Sequence, residues 1–183
     1  MSKKVLVPIA NGTEELEAVG IIDTLRRSGA EVTVASVQEL MIIGSCKTRI
    51  IADKLIADCL NEDWDMIVLP GGIPGSNHLR DSNDLTKILK NQAAEGKYYA
   101  AICAAPVVVL QHHGLLKGKK ATANPGFASH LENKESMQER VVVDGNCITS
   151  QSRGTVLEFS IKLIELLFDR EKAEQLAKEM LLR

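Results

Sequence analysis

YYAAICAAPVVVL, residues 98–110, places Cys103 between two apolar runs. The first run is short, which is typical of a buried strand. The second carries Pro106 near its start, where a helix tolerates proline. The stretch therefore predicts a strand that turns sharply into a helix, with the thiol at the turn.

Strand and helix patterns alternate on both sides of this stretch. Predicted strands cover residues 3–10, 31–37, 63–70, 97–103 and 119–124, and predicted helices cover 14–29, 53–60, 82–96, 104–114, 154–168 and 170–182. Segments 40–52 and 140–150 predict hairpins. Asn11 and Glu14 predict a capping box, and Gly29 predicts the end of the first helix. The alternation predicts an α/β fold, with a mostly parallel sheet and helices on both faces, in one domain over residues 1–183.

Composition excludes several classes of protein. The chain has 183 residues, 45% apolar and 25% charged, with a net charge of −2, as in an ordinary globular domain. It has no basic run, and 3% aromatic residues are too few for a nucleic-acid stacking surface. No signal-peptide core or membrane-length apolar stretch is evident, so we expect a cytoplasmic protein without membrane or specific nucleic-acid partners. The cysteines lack metal or disulfide spacing, so we expect free thiols and no metal.

Unusual residues follow three predicted strands: Asn11-Gly12, Gly71-Gly72 and Cys103. Ligand sites of open α/β sheets lie at the carboxyl ends of the strands, so these residues form the candidate site. Cys103 fits a nucleophile at a strand–helix turn, where helix amides favour the thiolate; it also fits a buried structural cysteine. The two glycines fit either backbone donors to an oxyanion or a simple turn.

Glu17 is the third candidate. It follows Glu14 and Glu15, which fit solvated acids that complement the helix dipole. Glu17 itself lies at the edge of a wide apolar arc, where partial burial would raise its pKa and suit it to acid–base chemistry. The alternative is a third surface glutamate.

Four motifs, in this order, resemble the ThiJ/PfpI superfamily: EELE at 14–17, VLPGG at 68–72, AAICAAP at 100–106 and TSQSRGT at 149–155. The resemblance is closest to its small single-domain branch, that of the DJ-one and YajL proteins, and extends from about Lys4 to Leu181. It implies a flavodoxin-like α/β sandwich, usually a homodimer, that works without a cofactor.

The resemblance also implies roles for individual residues. Cys103 would be the oxidation-prone nucleophile, Glu17 a protonated partner of its sulfur, and Gly72 and Ala104 the backbone N–H donors. Residues at or near the pocket would be Gly71, Asn124, Arg27 and Arg153.

Three positions depart from the family pattern. Asn124 stands in ATANP where the family often has histidine, and an amide cannot move a proton near neutral pH, which disfavours efficient glyoxalase turnover. Ser152-Arg153-Gly154 replaces the common Gly-Pro-Gly, and Arg153 would lie beside the pocket or point to solvent. The segment GSCKTRI lacks a clear match for the branch arginine that binds an oxidised cysteine, for which Arg49 is the candidate.

Peptidase activity is disfavoured. A cysteine protease needs a base beside its thiol, and protease-like PfpI members carry Cys-His, whereas Ala104 follows Cys103 here. We interpret the histidines as structural or solvated: His78, His112, His113 and His130.

Together these features predict an enzyme that converts methylglyoxal or glyoxal to hydroxy acids, or repairs glycation adducts, and protects against oxidants. Its partners would be a small aldehyde or glycated substrate and a second copy of the chain. The alternative is a redox-sensing stress protein in which Cys103 is oxidised to sulfinic acid. A chaperone is a third interpretation.

Overall fold

The structure, a computed structural model, describes residues 2–182. Its strands are β1 (Lys4–Ile9), β2 (Glu31–Ser36), β3 (Met41–Ile43), β4 (Arg49–Ile51), β5 (Lys54–Leu55), β6 (Met66–Leu69), β7 (Tyr98–Ile102), β8 (Val141–Asp144) and β9 (Cys147–Ser150). Seven of them form one sheet in the order β5-β2-β1-β6-β7-β9-β8. All its pairings are parallel except that of β8 with β9, which form the predicted hairpin. The predicted hairpin of β3 and β4 is a separate antiparallel pair.

Helices cover both faces of the sheet, which confirms the predicted fold class. They are α1 (Glu15–Arg27), α2 (Gly75–Asp81), α3 (Asn83–Ala94), α4 (Pro125–Ala128), α5 (Val156–Leu167) and α6 (Arg170–Glu179), with a π-helical segment at Pro106–Gln111. Side chains alternate along β1, so Val5 and Val7 pack with α1 and α5, whereas Leu6 packs with α3 and the π-helical segment. Within residues 2–182, no helix is long and apolar enough to cross a bilayer.

Two predicted elements are wrong. Residues 119–124 form no strand, because side chains bind their backbone: Lys120 N donates to Asp144 Oδ2 and Thr122 N to Thr149 Oγ1. The capping box is also absent, because the Asn11 side chain accepts from Ile43 N in the β3–β4 hairpin instead of capping α1. In both places the local sequence pattern predicts hydrogen bonds within the segment, but the polar groups bind a segment that is distant in the chain.

Other segments differ in type from the prediction. Residues 53–60 hold the short strand β5 and a 3₁₀ turn rather than a helix, and residues 104–114 contain the π-helical segment rather than an α-helix. Helix α2 was not predicted, because glycine and proline at 71–75 read as a loop. Helix α2 starts directly after the Gly71-Gly72 loop and packs against β1 and the π-helical segment, and this packing outweighs its weak local preference.

The carboxyl ends of β1, β6 and β7 are adjacent in the sheet, since β6 lies between the other two. The segments that follow these strands contain Gly12, Gly71 and Cys103. The β3–β4 hairpin lies beside this edge, because Gly12 N donates to Ile43 O and Ser45 N donates to Thr13 O. The sheet order therefore brings the three predicted strand ends to one place.

Candidate active site

Cys103 follows the last residue of β7 and adopts a left-handed backbone conformation with φ 67°. This conformation is uncommon for a residue with a side chain, and such strain concentrates at functional sites. Cys103 N donates to Ser150 O at 3.1 Å, and Cys103 O accepts from Asn124 N at 2.8 Å. The side chain is nearly buried, with 8% of the residue exposed. Two neighbouring segments thus fix the turn that presents the sulfur.

Glu17 lies in the first turn of α1 and is fully buried, with 0% exposed. Its Oε2 accepts from Gly71 N at 2.8 Å, whereas its Oε1 has no hydrogen-bond partner among residues 2–182. Burial raises the pKa of Glu17 to about 7, although the Gly71 N–H and the neighbouring Cys103 thiol oppose the shift. The position is therefore no surface glutamate, and the carboxyl group titrates near neutral pH, where acid–base catalysis needs it.

Gly71 lies between the Cys103 thiol and the Glu17 carboxyl group and is close to both. A Cβ atom on Gly71 would lie 2.6 Å from Cys103 Cβ and 2.8 Å from Glu17 Oε2. No real side chain fits this gap, so glycine is required for the two groups to approach each other. The next residue, Gly72, has φ 94°, and a Cβ atom there would lie 2.4 Å from Glu14 N.

The surroundings of the Cys103 sulfur have opposing effects on the pKa of its thiol. Burial and the Glu17 carboxylate raise the pKa of Cys103 to about 12, while the N–H groups of Gly72 and Ala104 lower it. This corrects the expectation of a thiol whose pKa is lowered by helix amides, because desolvation and a neighbouring negative charge outweigh the amides. The thiolate at neutral pH therefore depends on a proton acceptor at hand, and Glu17 is the titrating group beside it.

Asn124 lies against the nucleophile but its side chain is already engaged. Its Oδ1 accepts from Gly126 N at 3.0 Å and caps α4, and its Nδ2 donates to Ser152 Oγ at 3.2 Å. Its backbone N donates to Cys103 O. Asn124 thus ties the Cys103 turn to the loop after β9, and both polar atoms of its side chain are occupied there.

The loop after β9 is a tight turn that presents Arg153. Ser152 and Thr155 form a capping box around it, with Ser152 N donating to Thr155 Oγ1 at 3.1 Å. The exposed Arg153 lies close enough for its charge to act on Glu17, where it favours the carboxylate. Arg153 is therefore exposed to solvent and still near enough to Glu17 for its charge to act there.

Other predicted residues lie away from the sulfur. Arg27 is at the far end of α1, about 15 Å from Glu17 along the helix axis, and pairs with Asp23 at 2.7 Å. Arg49 is an exposed residue of β4. Of the histidines, His113 is bound elsewhere: its Nε2 contacts Arg80 O at 2.9 Å. Within one chain, therefore, Arg27 lies away from the site, and Arg49 makes no ion pair or side-chain hydrogen bond to it among residues 2–182.

Glu15 has a role that the sequence did not indicate. Its carboxylate accepts from Cys46 N at 2.9 Å, from Thr48 N at 3.1 Å and from Ser45 Oγ at 2.9 Å, all in the turn between β3 and β4. Burial opposes ionisation, but these donors lower the pKa of Glu15 to about 2. Glu15 is thus a clamp on the hairpin rather than a solvated acid. No local signal predicts it, because its partners lie some thirty residues away in the chain.

A strained cysteine at the end of a central strand, facing a buried glutamate across a glycine, defines a class: flavodoxin-like α/β proteins with a cysteine-centred site. The sequence matches the DJ-1/PfpI family over residues 3–166, and the chain belongs to this family.

Relatives agree with this assignment. "Protein DJ-1 homolog B" of Arabidopsis thaliana is 47% identical over 97% of this chain, and "Glutathione-independent glyoxalase DJR-1.2" of Caenorhabditis elegans is 32% identical over 99% of this chain and 96% of its own length. The solved structure of oxidized Toxoplasma gondii DJ-1 has a TM-score of 0.96 and 48% identity, with 99% of each chain covered. The chain spans 41% of homolog B and 47% of a second Arabidopsis relative, homolog A, less than half of either.

Proposed function

We propose that the protein converts 2-oxo aldehydes such as methylglyoxal to 2-hydroxy acids, with Cys103 as nucleophile and Glu17 as proton carrier. The observation that carries the proposal is the buried Glu17 carboxyl group, which faces Cys103 across Gly71 and keeps Oε1 without a partner among residues 2–182. The relative named as a glutathione-independent glyoxalase supports the same chemistry. Repair of glycation adducts would begin with the same attack on a carbonyl-derived carbon.

The first half of the reaction forms a covalent adduct. The Glu17 carboxylate takes the thiol proton, and the Cys103 sulfur forms a bond to the aldehyde carbon. The carbonyl oxygen becomes an oxyanion near the N–H groups of Gly72 and Ala104, which already act on the sulfur, and then receives the proton from Glu17. The product of this half is a hemithioacetal.

The second half moves hydrogen within the adduct. The Glu17 carboxylate removes the hydrogen of the former aldehyde carbon as a proton and delivers it to the adjacent carbon, while the hydroxyl proton passes to the adjacent oxygen. The adduct is now a thioester of a 2-hydroxy acid, and water hydrolyses it to release the acid and restore the thiol. One aldehyde and one water give one acid, so the reaction needs no external oxidant and no cofactor.

The test is lactate formation from methylglyoxal by the wild type, Cys103→Ala and Cys46→Ala. Cys46 is an exposed free thiol in the hairpin turn and serves as the matched control. We expect turnover in the wild type and in Cys46→Ala, and none above background in Cys103→Ala. Equal rates in all three proteins, or no lactate from the wild type, would contradict the proposal.

A redox-sensing role is the second candidate, since the Toxoplasma relative was solved in an oxidized form. The N–H groups of Gly72 and Ala104 favour negative charge on Cys103 and would stabilise a sulfinate, whose two oxygens come from two molecules of peroxide. Peptide mass spectrometry after peroxide treatment tests it. A gain of two oxygens at Cys103 ahead of the exposed Cys46, without aldehyde turnover, would favour this role over the enzyme.

We also propose that the chain forms a homodimer through α1 and the β3–β4 hairpin. Large apolar side chains are exposed there, including Leu16 at 57%, Val19 at 50% and Ile51 at 73%. Burial of such a surface stabilises association. Light scattering should give a dimer mass for the wild type and a monomer mass for Val19→Lys. A monomeric wild type at micromolar concentration would contradict this proposal.

A further inference from the structure

Arg153 is held in a defined place by its backbone. The capping box of Ser152 and Thr155 encloses it, and Thr155 Oγ1 also contacts Ser150 Oγ at 2.7 Å. Ser152 Oγ accepts from Asn124 Nδ2, and Asn124 N donates to Cys103 O. A continuous set of hydrogen bonds therefore links the nucleophile turn to the turn that carries the guanidinium group. The backbone of Arg153 thus has a defined position relative to the Cys103 turn.

Arg153 lines a cavity in which it is the one positively charged side chain without an acidic partner among residues 2–182. This cavity of about 690 Å³ lies beside α1, and its wall contains Gly20 and Leu16, of which Leu16 also belongs to the proposed dimer surface. Its other cations are paired, Arg140 with Glu158 at 2.7 Å and Lys162 with Glu165 at 2.5 Å. Among residues 2–182, Arg153 makes no ion pair and no side-chain hydrogen bond.

The cavity lies beside the helix of the candidate site, and its lining residues include neither Cys103 nor Glu17. Leu16 directly precedes Glu17 in α1, and Gly20 follows it by about one turn, so the cavity wall is the helix that carries the catalytic carboxyl group. The charge of Arg153 acts on Glu17. Asn124 links the Cys103 turn to Ser152, the residue before Arg153, so a substrate attached to Cys103 that extends toward this turn brings its far end to an unpaired cation.

We propose that Arg153 is a specificity-determining residue that binds an anionic group on the substrate, so that the protein prefers 2-oxo aldehydes bearing a carboxylate or phosphate over neutral ones. The planar guanidinium fork matches either anion with two parallel hydrogen bonds. The anion lies at the end of the substrate away from the aldehyde and takes no part in bond changes, so the balanced reaction above is unchanged. The choice of aldehydes rests on the proposed function, whereas the anion site at Arg153 does not.

A matched pair of substrates tests the preference. 4,5-Dioxopentanoate, which would give 2-hydroxyglutarate, carries a carboxylate where neutral 2-oxopentanal, which would give 2-hydroxypentanoate, carries a methyl group. We expect the wild type to favour the acid in kcat/KM, and Arg153→Gln to lower that preference about tenfold, as loss of a charge-assisted hydrogen bond predicts. Arg153→Lys should restore part of it. Inhibition of 2-oxopentanal turnover by inorganic phosphate or by acetate then shows which anion the site favours.

Alkylation of Cys103 gives a readout that needs no turnover. The thiolate displaces iodide from iodoacetate, an anion, or from iodoacetamide, its neutral counterpart. Both reagents react with the same thiolate, so the fraction of thiolate divides out of the ratio of the two rates. The ratio therefore reports the electrostatic potential at Cys103. We expect Arg153→Gln to lower this ratio about threefold, and added salt to lower it in the wild type, since salt screens the charge.

Arg170→Gln is the control, because Arg170 is exposed, pairs with Glu174 and lies outside the cavity. It should leave both ratios unchanged. Unchanged ratios in Arg153→Gln would overturn the inference. A change in the oligomeric mass of this variant would also overturn it, because Arg153 would then stabilise a contact between subunits. If no aldehyde is consumed by the wild type, the proposed function fails, and the alkylation ratio alone decides on Arg153.

Discussion

Glu15 and Glu17 lie two residues apart in the first turn of α1 and have opposite surroundings. Glu15 projects to the β3–β4 turn, where Cys46 N, Thr48 N and Ser45 Oγ donate to it. Glu17 projects into the sheet edge, where Gly71 N is its one backbone donor among the described residues and the Cys103 thiol is its neighbour. The pKa of Glu15 falls to about 2, and that of Glu17 rises to about 7.

The contrast between the two glutamates shows that the number of hydrogen-bond donors, weighed against burial, decides whether a carboxyl group stays ionised or exchanges a proton near neutral pH. Several donors hold Glu15 as a permanent anion, which suits a structural clamp. Glu17 has too few donors to offset its desolvation, so it exchanges a proton near neutral pH. Two glutamates in the same helical turn therefore differ in role: Glu15 holds the hairpin in place, and Glu17 is suited to proton transfer.

Replacing each glutamate by glutamine should have its most different effect on the rate of catalysis. Glu17→Gln keeps the shape of the side chain but removes the proton carrier, so we expect methylglyoxal turnover to fall at least about a hundredfold, as for loss of a general base. Glu15→Gln should change turnover less than about threefold. Lactate formation by both variants and the wild type measures this, and a similar loss in both would show that α1 itself, rather than Glu17, is the sensitive part.

The pH dependence of stability should differ in sign for the two residues. The folded state raises the pKa of Glu17 from 4.5 to about 7, so the unfolded chain ionises first and the wild type loses stability as pH rises from about 4.5 to 7. Glu17→Gln lacks this loss and should be more stable than the wild type at pH 8 by roughly 3 kcal/mol, with little difference at pH 4.

For Glu15 the sign is reversed. The folded state lowers its pKa from 4.5 to about 2, so its contribution is present above pH 4.5 and is lost as pH falls toward 2. Glu15→Gln should cost about 1 kcal/mol at neutral pH, since the carboxylate is partly solvated and screened, and nothing near pH 2. Urea unfolding of both variants across this range is the measurement; curves that run parallel to the wild type would refute both assignments.

The last comparison concerns the glycine that faces each carboxyl group. A Cβ atom on Gly71 would meet Cys103 Cβ at 2.6 Å and Ile102 O at 3.0 Å, whereas one on Gly44 would meet the Glu15 carboxyl group at 2.7 Å or more. Glu15 has a flexible side chain that can shift, but the Cys103 turn cannot. We expect Gly71→Ala to cost about 1–3 kcal/mol of stability, and Gly44→Ala less than about 1 kcal/mol.

Thermal or urea unfolding measures both glycine variants, and lactate formation shows whether the site survives. Gly71→Ala should also lose turnover, because it pushes the thiol and the carboxyl group apart. A Gly71→Ala protein that is as stable and active as the wild type would mean that Cys103 and Glu17 do not approach each other as closely as the structure has them.

Much of the fold follows from local patterns, because strands and helices with a buried face have regular apolar spacing. The central strands β1, β2, β6 and β7 and the helices α1, α3, α5 and α6 were predicted on this basis. Helix α2 and the strand expected at residues 119–124 were not predicted correctly. Glycine and proline obscure helix α2. At residues 119–124, the backbone N–H groups of Lys120 and Thr122 donate to the side chains of Asp144 and Thr149 instead of to a strand.

Neighbouring residues carry the α/β alternation, the strand–helix turn at Cys103 and the family motifs, so all three can be derived from the amino-acid sequence. The burial of Glu17, the clamping of Glu15, the occupied side chain of Asn124 and the absence of an ion pair at Arg153 among residues 2–182 are visible only in three dimensions. The physical reason is that burial, donor count and charge balance are properties of a place in space. In this fold that place is assembled from strand ends and turns that lie far apart in the chain.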